Sequence, residues 1–240
     1  MRFPTLYIPH GGGPCFFMDW TMGPADTWDR MAAWLRSLSD ELPGRPRALL
    51  VVSAHWEEAV PTVMSGAQPP LLFDYYGFPP HTYELKWPAP GSPELATRVR
   101  ALLAGAGMQT GENAARGFDH GVFVPLLLAF PQAEVPTIQL SLRAGLDASE
   151  HLAIGRALAP LRDEGVLIIG SGMSYHNMRG FGTRQAAAPA RRFDDWLAET
   201  VELPDTKERA RRLTRWQEAP DALLCHPRSE HLTPLFVTAG

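Results

Sequence analysis

The chain has 240 residues, of which 45% are hydrophobic and 20% charged, and a net charge of −4. This length and composition are ordinary for a globular protein and allow a substantial core, in one large domain or two small ones. They exclude a disordered chain, and because no basic stripe is present we expect no nucleic-acid partner.

The cysteine content and the chain start bear on location. Only Cys15 and Cys225 are present, so a disulfide framework is not supported and a reducing, cytoplasmic location is expected. The segment Met1-Arg2-Phe3-Pro4 lacks the features of a signal peptide. No apolar stretch approaches the ~18 residues of a membrane span, so we expect no membrane partner.

Predicted strands and helices alternate along the chain. Apolar runs predict strands at Phe3–Ile8, Ala48–Ser53, Pro61–Met64, Thr137–Leu142 and Val166–Gly170. Helical spacing predicts helices at Asp26–Leu42, Ser92–Ala104, Val122–Phe130, Ser149–Arg162, Ala190–Val201, Asp205–Trp216 and Leu232–Thr238. The alternation indicates an α/β fold with a mostly parallel central sheet flanked by helices, in a single domain over residues 1–240.

The stretch Gln68–Pro93 is rich in proline, glycine and aromatic residues. A loop this long is usually functional or disordered, and its aromatic content argues against disorder. We expect an ordered pocket wall, with the aromatic side chains of Phe73, Tyr75, Tyr76, Phe78, Tyr83 and Trp87.

Five of the eight histidines lie in short motifs with small flanking residues: His10, His55, His120, His176 and His231. The first two and His176 each come just past an apolar, β-branched run. Ligand crevices in open α/β sheets lie outside the carboxyl ends of the strands, so these imidazoles should meet there. Imidazole is the commonest metal-ligand side chain, which predicts a metal site. We interpret the other three, His81, His151 and His226, as loop or helix-surface residues.

The histidine spacing leaves the metal open. It matches neither a zinc finger nor the H-E-x-x-H motif. A site of imidazoles with or without one carboxylate suits iron or zinc. Glu230 precedes His231, so either residue can be the third ligand.

A hydrolase is a separate hypothesis. The run His10–Gly13 has the letters of an esterase oxyanion-hole motif, and Gly172–His176 is one glycine short of a nucleophile elbow around Ser174. Asp194 or Asp221, then His226 or His231, would complete a triad. The missing glycine and the position of the oxyanion loop after the first strand count against it. A Cys15 nucleophile is weaker still, because no partner base is specified.

Together the motifs resemble the class III extradiol ring-cleaving dioxygenases. The matching segments are Pro9-His10-Gly11, Val51-Val52-Ser53-Ala54-His55-Trp56, Tyr75-Tyr76-Gly77-Phe78-Pro79 with Ala89-Pro90-Gly91-Ser92-Pro93, Gly117-Phe118-Asp119-His120-Gly121, Gly170-Ser171-Gly172 with His176-Asn177, and Glu230-His231. The resemblance is closest to the DOPA 4,5-dioxygenase-type members, which are related to the β subunit of protocatechuate 4,5-dioxygenase. It covers nearly the whole chain.

The resemblance implies a mononuclear non-heme Fe(II) site, although Zn(II) is expected in some purified protein. His10, His55 and His231 match metal ligands, and Glu230 represents the carboxylate that other members use. His176 matches a catalytic base or a fourth ligand, and His120 an active-site histidine. The implied substrates are a small aromatic diol and O2. In the implied reaction the aromatic ring is opened beside the diol. The alternatives are the hydrolase and a metal-binding relative without catalysis. We expect a monomer or small homo-oligomer.

Overall fold

A central sheet of six strands organises the protein. The computed structural model describes residues 2–240. The strands are β1 (Thr5–Pro9), β2 (Ala48–Glu58), β3 (Thr62–Met64), β4 (Gly111–Asn113), β5 (Thr137–Arg143) and β6 (Val166–Gly172). Their order across the sheet is β1-β6-β2-β5-β3-β4. The five predicted strands are therefore all present, and β4 is additional.

The sheet is mostly parallel, as the sequence predicts. β1, β6, β2 and β5 run in one direction, which brings their carboxyl ends to one edge. β3 pairs with β5 in the antiparallel sense, and β4 is parallel to β3. The prediction missed β4 because Gly111-Glu112-Asn113 carries no apolar run, as fits an edge strand with neither face buried.

Eight helices connect and cover the strands within residues 2–240. They are α1 (Asp29–Ser37), α2 (Pro93–Gly105), α3 (His120–Ala129), α4 (Ala148–Leu158), α5 (Arg184–Val201), α6 (Thr206–Thr214), α7 (Ala222–Cys225) and α8 (Thr233–Ala239). Short 3-10 helices continue α1 and α4 at Leu38–Glu41 and Ala159–Arg162. Ser92 caps α2 through a hydrogen bond from the Leu95 amide, with Pro93 at the first helical position as predicted.

Several predicted boundaries are wrong in ways that matter for the site. β2 runs on to Glu58, so His55 lies within the strand rather than after it. The pairing of β2 with β5 is interrupted between Val52 and Glu57, around His55. β6 extends to Gly172. Helix α5 begins at Arg184 rather than Ala190 and carries Pro189 within it.

The core is divided into two clusters that share α4. The larger cluster packs α1, α2 and α3 against the sheet, with Leu35, Val99 and Phe123 fully buried. The smaller joins α4, α5, α6 and α8 around Phe193 and Phe236. No helix in residues 2–240 is long and apolar enough to cross a membrane.

Candidate active site

All five motif histidines converge at the carboxyl edge of the parallel strands. His10 follows β1, His55 lies in β2, and His120 is the first residue of α3. His176 lies in the loop after β6, and His231 stands two residues before α8. The ring centroids of His10, His55 and His231 are 4.9–5.2 Å apart. The predicted convergence is therefore present.

Three of these imidazoles form a group of metal-ligand size. One ring nitrogen from each of His10, His55 and His231 lies within 4.8 Å of the others. The closest pair is Nε2 of His10 and Nε2 of His55, at 3.0 Å. Imidazole nitrogens at such separations can share one ion, since ligand–metal distances are about 2.0–2.1 Å for zinc. The donor set therefore fits a divalent transition metal.

Ser171 fixes the tautomer of His10. Its Oγ donates to the carbonyl of Gly121, and it lies 3.0 Å from Nδ1 of His10. A hydroxyl has one proton, which is already committed to that carbonyl, so it must accept from the Nδ1–H of His10. The Nε2 of His10 is then unprotonated, and its lone pair faces Nε2 of His55.

Glu230 joins two imidazoles through a single oxygen. Its Oε1 lies 2.9 Å from Nδ1 of His176 and 3.0 Å from Nδ1 of His231. The two rings are stacked, with centroids 3.3 Å apart and planes inclined by 17°. A carboxylate only accepts, so both Nδ1 atoms carry protons and Nε2 is the nitrogen that each ring has left for a metal or substrate. This is the carboxylate–histidine pairing that commonly supports metal ligands.

The backbone of His231 is held by the end of β6. The His231 carbonyl accepts from the Met173 amide at 3.0 Å and from the Tyr7 hydroxyl at 2.6 Å. A Cβ at Gly172 would collide with that same carbonyl. Glycine is therefore required where the chain of His231 crosses the end of the strand.

His120 is oriented by Asp74, which lies in the aromatic loop. Asp74 Oδ1 accepts from the backbone amide of His120 at 2.9 Å and from its Nδ1 at 2.8 Å. The ring centroid of His120 lies 3.9 Å from that of His55, so His120 lies next to the three-histidine group. Hydrogen bonds from His120 hold the pKa of Asp74 below its ordinary value, although burial opposes them.

Asp119 is a fully buried anchor beneath these histidines. It accepts from Ser53 of β2 at 2.7 Å, from Gln139 of β5 and from Arg116 at 2.8 Å. Burial, reinforced by the charge of Asp74, raises the pKa of Asp119. A Cβ at Gly121 would lie 2.5 Å from Ser53 Oγ and 2.9 Å from the His55 ring. The start of α3 and β2 therefore pack directly against each other behind the site.

Burial keeps the three candidate metal ligands, His10, His55 and His231, neutral. Burial, together with the proximity of the other imidazoles, holds the pKa of His10 and His55 well below the ordinary value. Burial also lowers the pKa of His231 to about 4, against the opposing effect of Glu230. Although burial favours its protonated form, hydrogen bonds from His176 and His231 hold the pKa of Glu230 well below its usual range. At neutral pH the lone pairs needed for a metal are therefore available.

The histidines line a cavity of about 600 Å³ whose walls differ from the prediction. Of the six aromatic residues expected from Gln68–Pro93, Phe78 alone lines this cavity within the described part of the chain. Tyr75 packs under His120 instead, and Tyr76 is 90% exposed. The remaining walls come from Trp20, Tyr175 and Phe181, in loops that carry no periodic signal and were not identified from the sequence.

The three remaining histidines are structural, but two were misplaced by the prediction. His151 and His226 are fully buried rather than on helix surfaces. His151 bonds the Asp147 carbonyl and accepts from the Arg143 amide, and His226 bonds the Ser174 carbonyl. Backbone partners for both ring nitrogens explain the burial of His151, whereas Nδ1 of the buried His226 has no hydrogen-bond partner within residues 2–240. His81 is exposed on a short 3-10 helix, Pro80–Tyr83, which fits the predicted loop or helix-surface position.

The local structure does not support a serine or thiol nucleophile. A nucleophile elbow is a sharp strand-to-helix turn, but Gly172 is followed by a loop that reaches helix α5 only at Arg184. Ser174 lies outside the lining of the histidine cavity. Burial raises the pKa of the Cys15 thiol to about 12, which disfavours a thiolate.

Comparison with known proteins agrees with this geometry. The family model described as the catalytic LigB subunit of aromatic ring-opening dioxygenase matches residues 4–240. The chain belongs to the LigB family. The expected membership of the extradiol ring-cleaving dioxygenases is confirmed, and with it the oxidoreductase class. Family membership also implies an aromatic substrate, O2 and a metal ion, for which the histidine cluster is the matching site.

Curated relatives cover nearly all of this LigB-family chain. It is 44% identical over 239 residues to a 4,5-DOPA dioxygenase extradiol of Beta vulgaris, covering 98% of the chain and 85% of the relative. A protein of the same name from Escherichia coli K12 is 34% identical, covering 100% and 85%. The dioxygenase tasH of Hapsidospora irregularis is 37% identical, covering 99% and 77%. A crystal structure of an uncharacterized E. coli K12 protein superposes with a TM-score of 0.74 at 29% identity, covering 99% and 88%.

Proposed function

We propose that this LigB-family enzyme cleaves a catechol-type ring with O2, using Fe(II) held by His10, His55 and His231. The observation that carries the proposal is the group of three neutral imidazole nitrogens within 4.8 Å of one another at the floor of the cavity. For His10 and His231 the opposite ring nitrogen is already committed to Ser171 or Glu230. Both side chains are therefore held in the tautomer that a metal requires.

In this proposal Glu230 supports ligands rather than binding the metal. Its Oε1 is shared between the Nδ1 protons of His176 and His231, and Arg228 lies 3.4 Å from its other oxygen. Moving that carboxylate onto a metal would leave the Nδ1–H groups of buried His231 and half-buried His176 without an acceptor, which is costly. His231 is thus the better third ligand. His176, stacked against it, supplies a base or a fourth ligand.

Bound iron would act as a Lewis acid for the diol and as the electron path between the diol and O2. Side chains of the protein carry out the remaining steps. His176 lines the cavity and bonds Glu230 through Nδ1, so in this proposal its Nε2 takes a proton from the diol as a general base. His120, oriented by Asp74, offers its Nε2 to the bound diol. The aromatic walls exclude water, and both atoms of O2 enter the ring-opened semialdehyde without an outside reductant.

Zinc is expected in some preparations, because affinity at nitrogen sites favours Zn(II) over Fe(II). We further propose that residues 1–240 form one catalytic domain, as a monomer or small homo-oligomer without nucleic-acid or membrane partners. Both cysteines are free and buried, which agrees with a cytoplasmic protein.

Anaerobic reconstitution tests the proposal. Protein loaded with Fe(II) is given catechols and then O2, and the semialdehyde is followed by its absorbance while metal content is measured by elemental analysis. Wild type should bind one metal per chain and turn over, whereas His55→Ala should lose both. Equal metal in both proteins would refute the ligand assignment. Metal binding without cleavage of any catechol would favour a relative without catalysis.

A further inference from the structure

The wall of the active-site cavity carries no ionic side chain. Apart from its histidines, the cavity is lined by glycine, proline, aromatic, methionine and threonine residues; within residues 2–240 it has no Asp, Glu, Lys or Arg. The threonine hydroxyl is committed, since Thr27 Oγ1 donates to the Pro24 carbonyl at 2.6 Å. The cavity therefore offers a charged substituent no side-chain partner of opposite charge.

Two arginines near the histidines, Arg116 and Arg228, are both engaged elsewhere. Arg116 donates to buried Asp119 at 2.8 Å and stacks over Trp56, behind the site. Arg228 is 2.6 Å from Glu57 and 3.4 Å from Glu230. Neither lines the cavity. Recruiting Arg116 would break its ion pair with buried Asp119, and recruiting Arg228 would break its pairs with Glu57 and Glu230.

The mouth of the cavity is apolar and open. Met22 is 66% exposed, Met178 is 68% exposed and Phe181 is 38% exposed, and all three line the cavity. Phe181 also stacks on Trp28, at 6.1 Å between ring centroids. Exposed apolar side chains gathered at one opening mark a surface that is stabilised when an apolar ligand group covers it. The flexible side chain of methionine can pack against apolar ligand groups of different shapes.

We propose that the substrate of this site is a catechol with an uncharged, apolar substituent that lies between Met22, Met178 and Phe181. This inference rests on the proposed function, which it narrows to one substrate class. Relatives named 4,5-DOPA dioxygenase act, by that name, on an amino acid, whose substituent carries both an ammonium and a carboxylate. Between these apolar side chains those charges would lose part of their hydration without gaining a partner of opposite charge, which is unfavourable.

A matched substrate series tests the proposal. 4-Propylcatechol and dopamine are nearly isosteric, since a terminal methyl replaces an ammonium; 3-(3,4-dihydroxyphenyl)propionate and DOPA add a carboxylate. kcat/KM should rise about 4-fold per methylene from 4-ethyl- to 4-butylcatechol. It should be roughly 10- to 100-fold lower for each charged compound than for 4-propylcatechol. Values within about threefold for any charged compound would overturn the proposal.

Binding and a charge-introducing variant make the test independent of turnover. Calorimetry on zinc-loaded protein without O2 should rank the dissociation constants in the same order. Met178→Arg should improve the propionate relative to 4-propylcatechol by about tenfold, with no gain for dopamine. Leu223→Arg, at a position 58% exposed and outside the cavity, is the matched control. If no catechol is cleaved, the proposed function fails, and the binding order alone decides the preference of the cavity.

Discussion

Removing one hydroxyl behind the site should weaken metal binding without touching a ligand. In Ser171→Ala the Nδ1–H of His10 loses its acceptor, and the Gly121 carbonyl loses its donor. The imidazole is then free to take the other tautomer, in which Nε2 carries the proton and cannot bind a metal. The perturbation therefore acts on the ligand through its partner.

The expected size of the effect of Ser171→Ala depends on the burial of Ser171 and His10. Ser171 is fully buried and His10 is 1% exposed, so water cannot replace the lost hydroxyl cheaply. Loss of such a partner typically weakens metal affinity 10- to 100-fold. The orphaned polar groups should also lower the free energy of unfolding of the metal-free protein by about 1–3 kcal/mol.

Competition with a chromophoric chelator gives the metal dissociation constant, and urea unfolding of metal-free protein gives the stability. Ser65→Ala is the control, because Ser65 is also buried but its Oγ has no hydrogen-bond partner within residues 2–240. That variant should keep wild-type metal affinity. If Ser171→Ala binds metal within about threefold of wild type, or if both variants weaken it equally, the tautomer argument is wrong.

Three further predictions separate roles around the site. His176→Gln should keep one metal per chain and lose turnover if His176 is a base; loss of metal as well would make it a ligand. Ser174→Ala should keep wild-type turnover, and a loss of kcat on the order of 10⁶ would support a serine nucleophile instead. In metal-free protein, folded His226 and His231 have pKa values of about 4, whereas unfolded imidazoles titrate near ~6.5. The unfolded state therefore binds more protons between these values, and the free energy of unfolding should fall as the pH drops from 6.5 towards 4. Equal urea midpoints at pH 7 and pH 5 would contradict this.

The sequence predicted the sheet edge well because buried parallel strands leave a strong signal. Runs such as Val166–Gly170 are apolar on both faces, and the residues after each such strand must emerge at the same edge of the sheet. That logic brought His10 and His176 together without any contact information. It failed for His55 in detail, since strand length depends on pairing with neighbours and β2 continues through the residue.

The partners of the histidines and the cavity walls could not be found in this way. Asp74 and Ser171 act through hydrogen bonds to residues far away in the sequence, and no local spacing encodes such contacts. Trp20 and Phe181 lie in loops whose positions depend on tertiary packing rather than on periodicity. The aromatic loop was correctly expected to be ordered, but its rings support His120 from behind more than they face the cavity.

The pair of Asp74 and His120 distinguishes an orienting role from a structural one. Asp74 accepts two hydrogen bonds from His120 and joins the aromatic loop to the start of α3. Asp74→Asn keeps an acceptor of the same size but removes the charge, and charge-assisted hydrogen bonds are roughly twice as strong as neutral ones. If His120 contacts the bound diol, kcat/KM should fall about 5-fold, and His120→Ala should fall further. A purely structural pair would instead lower the unfolding temperature of Asp74→Asn while metal-loaded protein keeps wild-type kcat and KM. Measuring both quantities on metal-loaded protein decides between the two roles, and wild-type kinetics in a folded, metal-loaded His120→Ala variant would remove His120 from the reaction.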